Sequence, residues 1–291
     1  MNGALYGQIA GYLAREFRVV PFPYDWRRSV AENAAELATV VGRELGEATT
    51  PVHLLAHEAG GLLARAMIAA NGALWQQLTK RGGRLIMAGT PHAGSYAALE
   101  LLSGQAPVVH LLDLVDPKLG VAEIVKIFGS FPGLYALLPH ARHTWEGQWQ
   151  ASPAASWIPA DQWHALLDAA TQLWQTIEPA IDGTHMHNIV GTAPWTPAAV
   201  ALDNEQRLTF NGGELGDGRV TYGAATLPGV PTWLLDAPYG DLFNRPELFP
   251  ALVELLQQGE TARLTTDIPV ANARSATSTR QFRPVLYPSQ Q

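Results

Sequence analysis

The chain has 291 residues, long enough to bury a large single core. Hydrophobic residues make up 47% of it and charged ones only 15%, well below the roughly 25% of an average soluble protein, which points to a well-buried sheet with an apolar face to spare for a partner or ligand. A formal net charge of -7 with no basic stripe argues against non-specific nucleic-acid binding, and the absence of cysteine excludes disulfides and thiolate metal sites.

The amino terminus, MNGALYGQIAGYLAREF, has no basic stretch ahead of an apolar core, so it does not read as a secretory signal. It reads as an amphipathic helix over about Leu5 to Phe17. No long uninterrupted apolar run follows, so no membrane span is expected and a cytoplasmic location is the default. A short strand, Arg18 to Phe22, runs into Pro23-Tyr24-Asp25-Trp26-Arg27, and a helix is predicted from Val30 to Leu45. Pro51 introduces the apolar run Val52 to Ala56, a sharp turn covers His57 to Gly60, and a helix runs from Gly61 to Ala70. The next strand, Arg84 to Gly89, ends in Thr90-Pro91-His92-Ala93-Gly94-Ser95. Strands alternating with helices in this way predict an α/β fold, a mostly parallel sheet with helices on both faces.

From about Tyr96 to Asp182 the alternation stops. This stretch is helical, rich in Leu and Pro, and carries Trp145, Trp149, Trp157, Trp163 and Trp174, as a cap inserted over the strand ends would. The tryptophans suit large apolar anchors of that cap better than a lipid surface. Strands resume at His187 to Val190 and Thr232 to Leu235, and a last helix covers Pro246 to Gln257. Residues 1–259 thus read as one domain. After Gly259 the chain turns polar and aperiodic, so 260–291 is expected to be a linker or tail.

The strongest local signal is Val52 to Arg65: a strand, a tight turn and a helix, with small residues wherever backbone must pass backbone. This is the pattern of a nucleophile elbow, a strained turn that lifts one side chain above the sheet at a helix amino terminus. The usual small-x-Ser-x-Gly here reads Ala56-His57-Glu58-Ala59-Gly60.

With that unit in place, several blocks together carry a family resemblance. They are Tyr24-Asp25-Trp26-Arg27, the run from Leu85 to Ser95, Gly216-Asp217-Gly218-Arg219-Val220, and Asp236-Ala237-Pro238-Tyr239-Gly240-Asp241-Leu242. The chain resembles the lecithin–cholesterol acyltransferase-like lipases of the α/β-hydrolase superfamily, and more closely the bacterial hydrolase-like domains found beside caspase-like modules. Carried across by position, the resemblance puts Glu58 where the nucleophile belongs, Asp217 at the acid and Tyr239 at the histidine. It leaves the Ala59 amide as the remaining oxyanion donor. It also implies strands and an oxyanion loop ahead of the first helix that residues 1–17 do not supply. This points to a fragment, a truncated reading frame or a decayed domain. Either a shift of the strand at Val19, the tail near Phe282 to Tyr287, or an adjoining domain or partner protein supplying a strand would fill the gap, because an unpaired buried edge is costly.

A serine hydrolase needs an imidazole to take the hydroxyl proton and return it to the leaving group. Tyrosine, with a reference pKa of about 10, cannot do this at neutral pH. His57 and His92 remain as cleft-lining candidates, the first more simply a packing residue and the second a loop residue near the cleft mouth. His57-Glu58 opens like a zinc-protease helix, but Gly61 stands at the second histidine position. His185 and His187 lack a third ligand at a telling spacing, so no metal is expected, and no phosphate loop or dinucleotide fingerprint implies a cofactor. The expectation is a catalytically degenerate lipase/acyltransferase-like domain that binds an acyl chain or lipid, or serves as a scaffold in a larger protein. Two other readings stay open: an active ester hydrolase or acyltransferase with a non-standard Glu58-based site, and a pure protein-interaction domain.

Overall fold

The computed structural model describes residues 3–213, 215–267 and 278–280. Helix α1 (Gly3–Leu13) is followed by α2 (Val30–Glu47), β1 (Leu54–His57), α3 (Ala59–Ala70), α4 (Gly72–Lys80) and β2 (Leu85–Ala88). The cap follows as α5 (Tyr96–Leu102), α6 (Pro107–Val115), α7 (Gly120–Phe128), α8 (Pro132–Tyr135), α9 (Glu146–Ala151) and α10 (Ala160–Ile177). Then come β3 (Met186–Gly191), β4 (Thr196–Leu202), β5 (Leu208–Gly213), α11 (Tyr222–Ala225), β6 (Thr232–Leu235), α12 (Leu248–Gln258) and β7 (Ser278–Arg280).

The main sheet has the order β1-β2-β3-β6 and every neighbouring pair is parallel. The two-residue alternation of β2 divides its side chains between two cores. Leu85 and Met87 enter one with Leu37 and Val41 of α2 and Leu62 and Met67 of α3. Ile86 and Ala88 enter the other with Ile9 and Leu13 of α1 and Leu252 and Leu255 of α12. Both faces are therefore covered, as the near-continuous apolar strands require. Helix α2 starts at Ser29, whose hydroxyl accepts from the Glu32 amide while the Glu32 carboxylate reaches back to the Ser29 amide, a reciprocal cap.

The cap has a core of its own. Trp145, Trp149, Trp163 and Trp174 are all buried there with Tyr135 and Leu167, and Val200, Leu208 and Phe210 of the β4–β5 hairpin close it from below. The Trp149 and Trp163 rings stack at 4.5 Å.

Several boundaries differ from the sequence expectation. The first helix stops at Leu13, and Arg18 to Phe22 form no strand and have no ladder partner among the described residues. No strand from Val19 therefore shifts beside β1, which stands at the end of its sheet. The Leu54 and Glu58 amides of the β1 segment bond to Arg84 and Ala88 of the β2 segment, so the alternate residues Leu55 and His57 present their backbone to the other edge. Among the described residues no strand pairs with that edge. Helix α4 and the hairpin β4–β5 were not anticipated; β5 also pairs with β7 in a separate antiparallel sheet. The chain after Gly259 does not leave at once as a linker: Leu264 is buried and the Leu234 amide donates to Thr265 O at 2.7 Å. The stretch from Phe282 to Tyr287 lies outside the described residues.

Candidate functional site

At the carboxyl end of β1 the chain turns sharply into α3, and Glu58 sits at the apex with φ 50 and ψ -125. Glu58 is one of two non-glycine residues with positive φ among the described residues. A side chain held there costs on the order of 1–3 kcal/mol, and such strain persists only where neighbouring structure fixes it. Two contacts fix it here. The Glu58 amide donates to Ala88 O at the end of β2 (2.9 Å), and its carbonyl accepts from the Gly61 amide (3.0 Å). Gly61 is glycine because a Cβ there would run into the Thr90 side chain, so α3 could not pack so close to the end of β2. Ala59 is the first residue of α3, and its amide belongs to the first turn, where no intrahelical acceptor exists.

Tyr239 opens a 3-10 turn, Tyr239–Asn244, and its hydroxyl donates to Glu58 Oε2 at 3.3 Å. One face of its ring stacks on His57 (5.5 Å between centroids, 21° between planes). The Arg219 guanidinium lies over the same ring at 4.1 Å and also approaches Glu58 Oε1 at 3.6 Å. Glu58 keeps 26% of its side-chain surface open and Arg219 keeps 52%, so the pair lies at the rim rather than in the core. Burial raises the Glu58 pKa, against the pull of Arg219 and the Tyr239 hydrogen bond. Burial first, then the Glu58 charge, pushes the Tyr239 phenol above its ordinary range.

Asp217 is fully buried between Gly216 and Gly218. Its Oδ1 accepts from the Arg219 and Val220 amides at 2.9 and 2.8 Å, while Oδ2 is buried with no hydrogen-bond partner. The Tyr239 amide donates to Asp217 O at 2.8 Å. Burial raises the Asp217 pKa although these amides favour the charged form. The structure thus brings Glu58 and Tyr239 into side-chain contact and joins Asp217 to Tyr239 only through backbone. No imidazole is hydrogen-bonded to either carboxyl or to the Tyr239 hydroxyl among the described residues.

The two histidine candidates part company. His57 lies against the site, but its Nδ1 is paired with Tyr6 Oη at 2.8 Å, and burial pushes its pKa down to about 4. His92 is not at the cleft mouth, as the sequence suggested. It is buried, with Nε2 donating to Asn188 Oδ1 (3.1 Å) and Nδ1 accepting from Arg65 Nη1 (3.3 Å), and burial pushes it down to about 3. Arg65 in turn donates to Ile177 O and Ala180 O at the end of α10, so His92 belongs to a structural network. His185 pairs with Asp182 at 2.9 Å whereas His187 is buried beside Trp233, and no cluster of three metal-ligating residues occurs among the described residues.

Sequence reasoning gave no role to Arg219, Tyr6 or Tyr24. Arg219 stood beside the acid position in the glycine-rich block, and the adjacency was the available signal. Tyr24 has its hydroxyl 3.9 Å from where a Gly60 Cβ would stand, and burial and the Glu58 charge push its pKa up. Two surface hollows, of about 670 and 620 Å³, do not have Glu58 in their lining: one runs along Pro23 to Arg28 and includes Tyr24, the other lies between Ile68, Trp75 and Ile181.

The model of the family described as lecithin:cholesterol acyltransferase matches residues 8–188, a stretch that includes the elbow and the cap but stops before Asp217 and Tyr239. No curated protein matches in sequence. Among solved structures, the crystal structure of the Tle4-Tli4 complex is similar with a TM-score of 0.56 at 14% identity, over 87% of this chain and 72% of that one. The mature form of the Bacillus licheniformis lipase BlEst2 aligns at 15% identity over 79% of this chain and 75% of that one, with a TM-score of 0.43.

Proposed function

The chain belongs to the lecithin:cholesterol acyltransferase family, and from that premise we propose that it is a catalytically degenerate member, a lipid- or acyl-ligand-binding or scaffolding module rather than an ester hydrolase. The observation that carries the reading is what holds Glu58. At the apex of the elbow its two carboxyl oxygens go to the Tyr239 hydroxyl and toward Arg219. Acyl transfer at such an apex needs a hydroxyl whose proton passes to an imidazole and on to the leaving group. A phenol with a raised pKa takes no proton at neutral pH, and the guanidinium beside it does not give one up.

The unpartnered Asp217 Oδ2 supports the same reading, because orienting an imidazole is the task an acid in this position performs. A Glu58-based route fares no better. An ester formed on a carboxylate must be cleaved by water, which requires a base, and His92, one of the two cleft-lining candidates, is tied to Asn188 and Arg65. The β1 edge, which no strand pairs among the described residues, favours the scaffolding side of the proposal, since an adjoining domain or partner can add a strand there by main-chain hydrogen bonds.

The test is a panel of short-chain esters, epoxides and haloalkanes, assayed with the wild type and Glu58→Gln. Neither should turn over any substrate above background. Turnover by the wild type that disappears in Glu58→Gln would overturn the proposal. A fatty-acid panel read by melting temperature separates its two arms, because a ligand that binds only the folded state raises Tm.

A further inference from the structure

The cap leaves the sheet and returns to it by two stems. The outgoing stem is the loop of residues 90–95 after β2, and the returning one is the end of α10 with the turn to Ala180. A buried pair of side chains joins them. Arg65 of α3, 2% exposed, donates from Nη2 to Ile177 O (2.7 Å) and from Nε to Ala180 O (3.2 Å), carbonyls at a helix end that attract positive charge. Its Nη1 meets Nδ1 of His92, on the outgoing stem, at 3.3 Å.

A guanidinium has donors only, so Nδ1 accepts and the imidazole carries its single proton on Nε2, which donates to Asn188 Oδ1 of β3 at 3.1 Å. Both ring nitrogens are thus committed in the neutral form. A second proton would set one cationic N–H against another in a buried place. The groups facing the ring offer no relief. They are Arg65 from α3, Asn188 from β3, and His140 from the segment after α8, whose own ring stacks on Trp174 at 4.2 Å with Nε2 buried and unpartnered. The carboxylate whose charge acts on Arg65 is Glu178, exposed at the end of α10. Among the described residues no carboxylate is hydrogen-bonded to Arg65 or to His92.

We propose that Arg65 and His92 form an acid-released tie between the two stems of the cap, closed while the imidazole is neutral and broken by one proton on its Nδ1. Once protonated, the ring leaves the guanidinium for solvent and takes the outgoing stem with it, while Arg65 stays on the α10 carbonyls. Strands β2 and β3 keep their own ladder. The tie does not depend on what Glu58 does. Burial, then the Arg65 charge, pushes His92 down to about 3 in the closed form, and an open stem returns it to its ordinary 6.5. The tie is therefore at full strength above pH 6.5. Below it the open fraction rises up to tenfold per pH unit, about a hundredfold by pH 4.5. His140, pushed down to about 4 by burial and the Arg65 charge, acts in the same direction.

Hydrogen exchange between pH 7 and 4.5, read as protection factors, tests the tie. The amides to follow are those that hold the outgoing stem: Ala93 on Ala224 O, Ser95 on Leu137 O, and His140 on Ala93 O. In the wild type they should be less protected than the β2 and β3 amides and lose protection steadily with acid. His92→Gln can still accept from Arg65 and donate to Asn188 but takes no proton, so its decline should be shallower by a factor of about ten per pH unit. His140→Phe, which keeps the stack on Trp174, should retain that share of the decline. Equal slopes in the wild type and His92→Gln would overturn the proposal. So would a slope removed only by His140→Phe, or stem and sheet amides that share one protection factor at every pH. Should His92→Gln fail to fold, nitrogen NMR of labelled histidine in the wild type decides. A His92 ring with a bare Nδ1 at pH 7 that titrates in step with the stem amides supports the tie, and one that titrates near 6.5 with those amides still protected refutes it.

Discussion

Replacing Glu58 by glycine should leave the protein more stable than replacing it by alanine, the reverse of the order found inside helices. Both variants lose the same interactions, the Tyr239 hydrogen bond at 3.3 Å and the Arg219 approach at 3.6 Å, so those terms cancel in the comparison. What differs is the backbone. At φ 50 and ψ -125 a residue with a Cβ is strained by on the order of 1–3 kcal/mol, and glycine is not. Glycine gives back roughly 0.5–1 kcal/mol through the greater freedom of the unfolded chain. The balance favours Glu58→Gly over Glu58→Ala by about 1 kcal/mol. Urea unfolding of the two variants, with equal slopes, reads the difference directly; in a thermal scan it corresponds to about 2 °C for a domain of this size. Equal stability, or a more stable alanine variant, would mean that residue 58 is relaxed. The identification of this turn as an elbow would then lose its physical basis.

Two further outcomes follow from the packing and the buried imidazoles. Gly61→Ala should cost about 1–3 kcal/mol, because its methyl overlaps Thr90 Oγ1 and comes within 2.6 Å of Cγ2. Adding Thr90→Ala should recover part of that loss in a double-mutant cycle, and no recovery would refute the contact. Burial pushes His187 down to about 4, so between its ordinary pKa of 6.5 and that value the unfolded chain binds the extra proton. Its contribution is complete above pH 6.5 and falls as pH drops toward 4, by up to about 1.4 kcal/mol per pH unit. His187→Leu should flatten the decline of stability with acid by that one proton, measured by urea unfolding from pH 7 to 4. An unchanged slope would show that His187 protonates without resistance.

Much of the framework was legible because it depends on local periodicity. The unbroken apolar run Leu85, Ile86, Met87 and Ala88 marks a strand buried on both faces. The small residues around Glu58 mark a turn where backbone passes close to backbone, and the long polar-apolar rhythm from Val30 marks α2 almost to the residue. Where the periodic signal is short, reading failed. The segment Arg18 to Phe22 has the composition of a strand, but a strand exists only with a partner, and none lies beside it among the described residues. The hairpin β4–β5 hides behind Pro197 and the alanines of β4. Its turn signal was present at Asp203, whose Oδ1 accepts from the Glu205 and Arg207 amides.

The sequence by itself determined that a strand, a turn and a helix would place residue 58 at an apex, since that geometry is written in neighbouring residues. It also determined that neither serine nor histidine stands at positions 58 and 239, where the resemblance puts the nucleophile and the histidine. Only the tertiary structure decided what Glu58 touches. Tyr239 is 181 residues away, and Arg219 reaches both because the Gly216–Val220 loop folds back under the same turn. The fate of His92 was decided in the same way, by a buried arginine on α3 and an asparagine on β3 that draw its ring inward. Contacts of this kind depend on how separate elements pack against one another, and packing is set by the summed fit of many side chains rather than by any stretch of sequence that can be read alone.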